Sequence, residues 1–425
     1  MGTASPKHRS NRSQLKRLEA LIDASRILNS TLNLEKLLSL ILDLATSNLK
    51  ATRGTIYLVD EERDELWSKV VKGRELIEIR LPLGTGIAGH VGKTGVKVNL
   101  KDAWKDKRFY SGFDLRSGFQ TKTMLCMPMR DRNEKIIGVF QILNKVRGTF
   151  TREDEHFLEA FSVHVALAIE NARLHESEVE KKKMEREIEI AGSIQRRLLP
   201  KEIPLIPNYD IAAITKPSKM VGGDYYDVIK LSETKSLFLV ADVSGKGIPA
   251  ALLVSTVHAY IHAYLGQIEE LDNLGKGLNT FVYEHTEAER FITLIAGILD
   301  VETGMFNYLN AGHNYPYLYR YKTHAVETLA GGGIPLGMFD FAEYQNLQVQ
   351  LEPSDILVLY SDGVTEAMNP AKDQYSEERL MEQLKTLASE GSERVKSGIV
   401  EDVERFVSHE PPSDDLTLVI IKRNE

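Results

Sequence analysis

Apolar positions in the first half of the chain recur first at a helical spacing and then at the spacing of strands. Leucine and isoleucine repeat from Leu34 to Leu42, and a similar run lies before a polar break at 29–31, so two helices separated by a cap are predicted. Alternating runs then predict strands over 55–59, 65–71, 76–81, 124–129 and 136–143. A capping box at Thr151–Asp154 opens another helix. This order of elements predicts an α+β fold.

The helix that begins near Thr151 is predicted to be longer than an ordinary globular helix. No proline interrupts it before Pro200, and the segment between Glu176 and Glu189 is mostly charged. Ile188, Ala191, Gln195 and Leu198 then follow at a 3-4-3 spacing, and all but Gln195 are apolar or small. The segment is therefore interpreted as a helical linker, either solvated along its length or paired with a second copy of the chain as a coiled coil.

Beyond Pro200 the pattern becomes rich in strands. Apolar runs predict strands over 236–240, 293–300, 304–309, 356–360 and 416–421, with a hairpin between the second and the third. Helical spacing occurs over 249–264, 272–285 and 377–388, so sheets covered by helices are expected. The predicted organisation is a disordered tail (1–11), a first domain (12–172), a linker (173–199) and a second domain (200–425).

Composition and charge narrow the classes of protein to consider. The formal net charge is −8 and no long basic run occurs, which argues against nucleic acid as a partner. The single cysteine, Cys126, excludes a disulfide framework, and its apolar neighbours predict a core residue rather than a nucleophile. The start of the sequence lacks the apolar segment of a secretory signal, and no stretch reaches the ~20 apolar residues of a membrane span. A cytoplasmic protein without membrane partners is expected.

Acidic motifs in the second half carry the candidate chemistry. They are Gly222–Asp227, Ala241–Gly247, Ser361–Glu366 and Ser413–Thr417. Most of their aspartates lie at the ends of predicted strands, where side chains far apart in sequence converge, and such a cluster of carboxylates repels itself. A pair of divalent cations would remove the repulsion, and ligands that are all oxygen favour Mg²⁺ or Mn²⁺ over Zn²⁺. A plain turn explains any single Asp-Gly, but the ordered set favours a site for two metal ions.

The order of these motifs, together with Ala311–Asn314 and Pro335–Gly337, resembles the SpoIIE/RsbU branch of the PPM serine/threonine phosphatases over about 195–423. The resemblance implies a β-sandwich flanked by helices and a site for two Mn²⁺ or Mg²⁺ ions. The ligands that it implies are the side chains of Asp224, Asp242, Asp362, Asp414 and Asp415 and the backbone carbonyl of Val243. Within the last motif, alignment favours Asp414 as the ligand and Asp415 as its supporting neighbour. The implied substrate is a phosphorylated anti-sigma-factor antagonist in a partner-switching pathway.

The chemistry implied by this site is hydrolysis by a metal-activated water. Two cations lower the pKa of a bridging water and hold the phosphoryl group for in-line attack, so the implied catalytic aspartates act through that water. Many eukaryotic PPM enzymes have a histidine where this chain has Ser244. The leaving group therefore takes its proton from water, or turnover is slow until a partner completes the site.

Several other polar residues near the motifs have competing interpretations. Lys216, Lys219 and Lys246 are candidates to hold the phosphate, although lysines in such positions are more often solvated surface residues. His313 follows a predicted strand at a tight turn, and a structural loop is preferred over a catalytic base.

The first half of the chain, over 20–172, is similar to GAF domains, which have a central antiparallel sheet with helices and often sense small molecules. Residues Asn144, Lys145, Phe150, Asp154 and Glu155 match a signature of GAF domains that bind cyclic nucleotides. An Asn-Lys turn followed by a capped helix also explains them. Three roles stay open: binding of a cyclic nucleotide, response to another small ligand or protein, and structural dimerisation.

Three classes of function follow. The leading hypothesis is a ligand-regulated, homodimeric protein serine/threonine phosphatase. The second is a catalytically inactive domain that only binds a partner, which the intact set of aspartates disfavours. The third is a nucleotidyl cyclase linked to a GAF domain, which leaves the Asp414–Asp415 motif and the glycines after Asp242 unexplained.

Overall fold

The computed structural model describes residues 31–425 apart from 73–74, 268–269 and 288. The chain divides into two compact units, Met1–Lys183 and Met184–Glu425. The tail predicted at 1–11 and the first predicted helix lie outside the described residues. Among the described residues, no helix has the length and apolarity needed to cross a membrane.

The first unit is built around an antiparallel sheet of six strands in the order β3-β2-β1-β6-β5-β4. Its elements in chain order are α1 (Leu34–Leu49), β1 (Ala51–Asp60), β2 (Glu65–Lys72), β3 (Glu75–Pro82), α2 (Gly86–Thr94), β4 (Val98–Leu100), α3 (Gly112–Ser117), β5 (Met124–Arg130) and β6 (Ile136–Lys145). The last helix, α4 (Arg152–Gln195), begins in this unit. The α+β prediction for this part of the chain is confirmed.

Apolar stripes on two helices cover one face of this sheet. Leu37, Ile41 and Ala45 repeat every fourth residue on α1, and all are fully buried against the sheet. Phe161 on α4 packs on Phe140 of β6, with ring centroids 5.9 Å apart. On the other face, Cys126 is fully buried in a second apolar cluster, which confirms its prediction as a core residue.

Side-chain caps set the starts of both helices. The side chain of Asn33 accepts a hydrogen bond from the backbone N–H of Lys36 at 2.9 Å, so the cap follows directly after the predicted break. At the start of α4, the backbone N–H of Thr151 donates to the Asp154 carboxylate at 2.9 Å, and the Thr151 hydroxyl accepts from the N–H of Asp154. The predicted capping box is therefore present.

The second unit contains two five-stranded sheets, in the orders β14-β11-β10-β9-β8 and β13-β12-β15-β16-β7. Its strands are β7 (Tyr209–Lys216), β8 (Asp224–Lys230), β9 (Lys235–Val243), β10 (Ile292–Asp300), β11 (Met305–Ala311), β12 (Tyr317–Arg320), β13 (Ala325–Thr328), β14 (Leu347–Gln350), β15 (Ile356–Tyr360) and β16 (Leu416–Arg423). Its helices are α5 (Ile248–Tyr264), α6 (Leu271–His285), α7 (Asp362–Thr365), α8 (Glu377–Leu387) and α9 (Ser392–Val407).

The apolar clusters of this unit show four layers. Phe238 and Val240 of one sheet and Leu359 and Val419 of the other share a buried core, so the two sheets pack face to face. The outer face of the first sheet packs on α5 and α6. The outer face of the second sheet packs on α8 and α9. The unit is thus a β-sandwich with helices on both sides, as the fold class predicted.

The structure extends the predicted elements and adds several. The predicted hairpin forms, since β10 and β11 pair in antiparallel register from Leu294–Ala311 to Leu299–Phe306. Helix α9 was missed, although Val395, Ile399 and Val403 form a buried stripe at helical spacing. Strands β4, β7, β8 and β12–β14 were also missed. Strand β12 is buried but only four residues long, and β13 is largely exposed and carries little apolar alternation.

Candidate active site

The acidic motifs meet at one end of the sandwich. Asp224 is the first residue of β8 and lies opposite Asp242 near the end of β9. Asp362 follows β15 directly and begins α7, and the pair at 414–415 precedes β16. The carboxylates of Asp362 and Asp414 both act electrostatically on Asp242. Both sheets therefore supply carboxylates to one cluster, although the motifs are far apart in sequence.

Burial and mutual repulsion raise the pKa values of these carboxyl groups. Burial, followed by the neighbouring Asp242 carboxylate, raises the pKa of Asp224 well above its ordinary value. Burial and the carboxylates of Asp362 and Asp414 raise the pKa of Asp242 to about 7. Burial and Asp414 raise the pKa of Asp362 to about 6. A site with this much negative charge and only oxygen donors fits hard divalent cations, which would offset the repulsion.

Two hydroxyl groups fix the orientation of Asp224. Ser361 and Thr417 both donate hydrogen bonds to its Oδ2 atom, each at 2.6 Å. Both hydroxyl groups belong to fully buried residues. Their role was not predicted from the sequence, although each lies within an acidic motif, one residue before Asp362 and two residues after Asp415. They hold one oxygen of Asp224 in place.

The aspartates of the Asp414–Asp415 pair make different contacts. Asp415 is buried and accepts backbone N–H groups of Ser218 and Gly223, each at 2.6 Å. A Cβ atom at Gly222 would lie 2.4 Å from the Asp415 carboxylate, so a glycine is required there. Asp414 is more exposed and pairs with Lys246, with Nζ 2.8 Å from its Oδ2 atom. Asp415 thus holds the loop before Asp224, and Asp414 lies on the open side.

The backbone carbonyl of Val243 lies next to the same loop. A Cβ atom at Gly223 would approach that carbonyl oxygen to 2.9 Å, and the N–H of Val243 donates to the carbonyl of Gly223 at 3.2 Å. The predicted backbone ligand is therefore near the carboxylates, and the glycine allows the close approach.

Ser244 is occupied by a structural contact. Its hydroxyl accepts the backbone N–H of Phe291 at 3.0 Å. The Arg290 guanidinium donates to the carbonyl of Ser244 at 3.1 Å and lies against Gly245. Arg290 thus places a cation beside the acidic loop. It was not predicted from the sequence, because it lies outside the motifs.

Of the remaining predicted residues, one contacts the acidic cluster and the others make contacts elsewhere or are exposed. Lys246 contacts the site through Asp414, whereas Lys216 pairs with Glu404 at 2.5 Å and Lys219 is exposed. His313 is buried, bonds to the Thr293 hydroxyl at 2.7 Å, and has its pKa lowered by burial to about 4. These contacts agree with a structural role for His313.

The last turn of α4 contacts the loop that leads to Asp224. The Gln195 side chain donates to the carbonyl of Gly222 at 2.7 Å and accepts its N–H at 3.1 Å. A Cβ atom at Gly192 would lie 2.2 Å from the carbonyl oxygen of Met220. The glycine in the helix is therefore explained by close contact with this loop.

In the first unit, the residues of the predicted GAF signature lie at the junction of β6 and α4 and make structural contacts there. The Lys145 ammonium pairs with the buried Asp154 carboxylate at 2.5 Å. Asn144, with a positive φ of 53°, donates to the carbonyl of Gln120 at 2.7 Å. Glu155 accepts from Asn99 at 2.8 Å, and Phe150 is buried.

A separate cavity of about 180 Å³ lies in the same unit. Its lining includes Arg53, Tyr57, Arg80, Phe109 and Asp114. The signature residues are not among those that line it. Their contacts stabilise the fold of this unit, and their side chains do not form the wall of the cavity.

Comparisons with known proteins match both units. Residues 33–169 match the family model of the GAF domain, and residues 232–424 match that of stage II sporulation protein E (SpoIIE). The chain is 32% identical over 241 residues to phosphoserine phosphatase RsbU of Bacillus subtilis (strain 168), a match that covers 56% of this chain and 70% of the relative. It is also 32% identical over 182 residues to a probable 3',5'-cyclic phosphodiesterase (pde-5) of Caenorhabditis elegans, covering 40% of this chain and 25% of that protein.

A solved structure extends the comparison to the fold. The SiaA-PP2C domain of Pseudomonas aeruginosa superposes with a TM-score of 0.52 at 20% identity, covering 57% of this chain and 98% of that one. Asp242, Asp362 and Asp414 fall within the span of the SpoIIE match, and Asp224 precedes it.

Proposed function

The chain belongs to the SpoIIE/RsbU family of PPM-type serine/threonine phosphatases and carries a GAF domain, and from this premise we propose that it is a metal-dependent phosphoprotein phosphatase regulated by that domain. The observation that carries the proposal is the cluster of Asp224, Asp242 and Asp362, whose pKa values are raised by burial and by their own repulsion. Bound cations would offset this repulsion, and carboxyl groups with such shifted pKa values are typical of functional sites.

The residues fit a pair of Mn²⁺ or Mg²⁺ ions. The side chains of Asp224, Asp242, Asp362 and Asp414 and the carbonyl of Val243 would hold them, with Asp415 as a loop-holding neighbour. When bound, such ions supply an activated water and polarise a phosphoryl group.

The chain's own residues organise the site around these ligands. The hydroxyl groups of Ser361 and Thr417 keep Asp224 in one orientation. The Ser244 hydroxyl, which accepts the N–H of Phe291, is a far weaker acid than a histidine at this position, so a leaving serine would take its proton from water. Lys246 and Arg290 supply positive charge at the rim, where a phosphate would enter.

The proposed substrate is a phosphorylated anti-sigma-factor antagonist in a partner-switching pathway. Support comes from the similarity to RsbU, whose name gives phosphoserine as the hydrolysed group. The experiment is to measure phosphate release from a phosphoserine-bearing antagonist, with Mn²⁺ and with EDTA, by full-length protein and by Asp362→Asn. We expect release only by the wild-type protein with Mn²⁺. Equal release by Asp362→Asn would refute the assignment of the site.

The proposed regulation uses the GAF domain and a homodimer. Cyclic nucleotides are one class of ligand to test at the cavity, because of the similarity to a cyclic phosphodiesterase. Helix α4 leads from the GAF domain and its Gln195 contacts Gly222, so a change in this helix would reach the loop before Asp224. We place this activity in the cytoplasm, where the single reduced cysteine is expected.

A further inference from the structure

A second group of metal-ligating side chains lies on the other face of strand β8. Asp227 projects from β8, and His258 and His262 lie four residues apart on α5. One potential ligand atom from each residue lies within 4.8 Å of the others. Tyr225, two residues before Asp227, packs in the apolar cluster between the sheet and α5, whereas Asp224 faces the acidic cluster. The two groups of ligands are therefore on opposite faces of one strand.

Hydrogen bonds in this group assign the protons. The Tyr225 hydroxyl lies 2.6 Å from Asp227 Oδ2 and 2.8 Å from His258 Nδ1. An ionised carboxylate only accepts hydrogen bonds, so Tyr225 donates to Asp227 and accepts from Nδ1–H of His258. A neutral His258 then carries its electron pair on Nε2, the atom that a metal ion would use.

The second histidine and the surroundings complete a ligand set. His262 Nε2–H donates to Asp227 Oδ2 at 2.8 Å, and a metal ion bound there would displace this proton. The two imidazole ring centroids are 4.1 Å apart. Burial, followed by the neighbouring His262, lowers the pKa of His258. Asp227 is buried, whereas the His262 side chain is 39% exposed, so an ion can enter from solvent.

We propose that Asp227, His258 and His262 form a binding site for a transition-metal ion of the zinc class, distinct from the acidic cluster. Two imidazoles and one carboxylate are a donor set that suits Zn²⁺, unlike the oxygen-only cluster. Tyr225 takes the place of the outer-shell partner that fixes the orientation of a metal-binding histidine. Three protein ligands leave a position for water or for an inhibitor.

This site connects the two elements that leave the acidic cluster. Strand β8 starts at Asp224, and helix α5 starts shortly after Asp242. An ion bound between β8 and α5 would fix their separation, and so would couple the zinc concentration to the geometry of the acidic cluster. The metal site itself does not rest on the proposed function, since its ligands and its test are separate from phosphate hydrolysis.

The test compares Zn²⁺ binding to the full-length protein and to His262→Gln, His258→Gln and His285→Gln. His285 is a matched control, an exposed histidine on α6 that bonds to the carbonyl of Phe281. Excess Mg²⁺ is present to occupy the oxygen-only sites, and bound zinc is measured by equilibrium dialysis. In a second measurement Co²⁺ replaces zinc, and its visible absorption reports coordination by nitrogen.

We expect wild type and His285→Gln to bind one zinc ion per chain at this site. His262→Gln and His258→Gln should bind it about 100-fold more weakly or worse, because loss of an outer-shell partner alone costs about 10–100-fold. Asp242→Asn should retain the ion, which separates this site from the acidic cluster. Equal zinc affinity in wild type and His262→Gln would overturn the proposal, and the exposure of His262 makes that variant decisive if His258→Gln unfolds.

Discussion

The Asp415 carboxylate accepts the backbone N–H of Gly223 at 2.6 Å and thereby fixes the residue that precedes Asp224. Its neighbour Asp414 instead pairs with Lys246 on the open side of the cluster. Two adjacent aspartates thus support one site in different ways, one by shaping a loop and the other by adding a carboxylate. Substituting each aspartate should therefore change a different property of the protein, either its stability or its affinity for metal ions.

Asp415→Asn should lower the free energy of unfolding by about 1–3 kcal/mol, because the amide N–H₂ cannot accept from every buried backbone N–H that the carboxylate satisfies. Asp414→Asn should leave stability nearly unchanged but weaken Mn²⁺ binding. Denaturant unfolding in EDTA and calorimetric titration with Mn²⁺ measure the two quantities. The same pattern of losses in both variants would show that the pair acts as a unit.

Asp242→Asn and Asp362→Asn should reduce hydrolysis of a phosphopeptide or p-nitrophenyl phosphate to the level of wild-type protein in EDTA. Each removes a carboxylate from the proposed metal site while leaving the packed sheets intact. Cys126→Ala should retain activity, because burial raises the pKa of its thiol and no thiolate is available. Activity that survives chelation and depends on Cys126 would point to a different mechanism.

The acidic cluster also predicts how the metal-free protein responds to pH. The pKa of Asp242 is about 7 in the folded state and near its ordinary value when unfolded, so the folded protein keeps a proton that the unfolded chain loses. The free energy of unfolding should therefore fall as pH rises from about 4 to about 7, on the order of 2–4 kcal/mol in total. Asp242→Asn should flatten this fall. Denaturant unfolding in EDTA at several pH values tests it, and parallel curves for the two proteins would contradict it.

The sequence predicted the acidic site better than it predicted the contacts that support it. Asp242, Asp362 and Asp414 could be named because their motifs place carboxylates at the ends of predicted strands, where topology brings them together. Asp224 was named from the resemblance of its motif, since strand β8 was not predicted. The roles of Ser361 and Thr417 could not be assigned, since a hydroxyl group acquires a role only when its acceptor is known. Helix α9 was missed although its apolar stripe was visible in the sequence.

For the GAF signature, the sequence motif predicted a ligand-binding role, whereas the structure shows structural contacts. The match of Asn144, Lys145 and Asp154 suggested a ligand, but their side chains bind one another and neighbouring backbone. A motif that stabilises a fold recurs with the fold whatever the ligand is. The residues that line the cavity, such as Arg53 and Asp114, are instead dispersed in sequence and form no motif.

Ser361→Ala and Thr417→Val should each weaken Mn²⁺ binding by about 10–100-fold, the usual cost of losing an outer-shell hydrogen bond. Without a donor to Oδ2, the pKa of Asp224 should rise further, because both hydroxyl groups lower it now. Ser255→Ala is the matched control, since its hydroxyl donates only to the carbonyl of Ala251 within α5. Calorimetric titration of the three variants decides whether the effect is specific to Asp224.

Helix α4 carries exposed apolar side chains that a solvated helix has no need for. Met184, Ile190 and Ile194 are 65%, 54% and 59% exposed. If two chains pair along this helix, Ile194→Asp should convert a homodimer into a monomer and remove any response to ligand, while Mn²⁺ affinity stays unchanged. Ser193→Asp adds the same charge at the neighbouring exposed position and should retain the dimer. Light scattering and phosphatase assays with cyclic AMP and cyclic GMP measure both properties, and Leu198→Asp provides a second disruption.

The contacts made by the C-terminal end of helix α4 predict how N-terminal truncation changes the phosphatase rate. Gln195 holds both backbone groups of Gly222, and Leu199 packs against the apolar clusters of the second unit. A fragment 200–425 lacks both contacts, so it should keep the sandwich but show an altered basal rate without any ligand response. A fragment 184–425 retains both contacts and should keep the basal rate of the full-length protein. A ligand signal can reach Asp224 only through an element whose arrangement changes the free energy of the site. The full-length protein could instead be a monomer, and the fragment 200–425 could match it in rate and ligand response. That result would show that helix α4 transmits no signal.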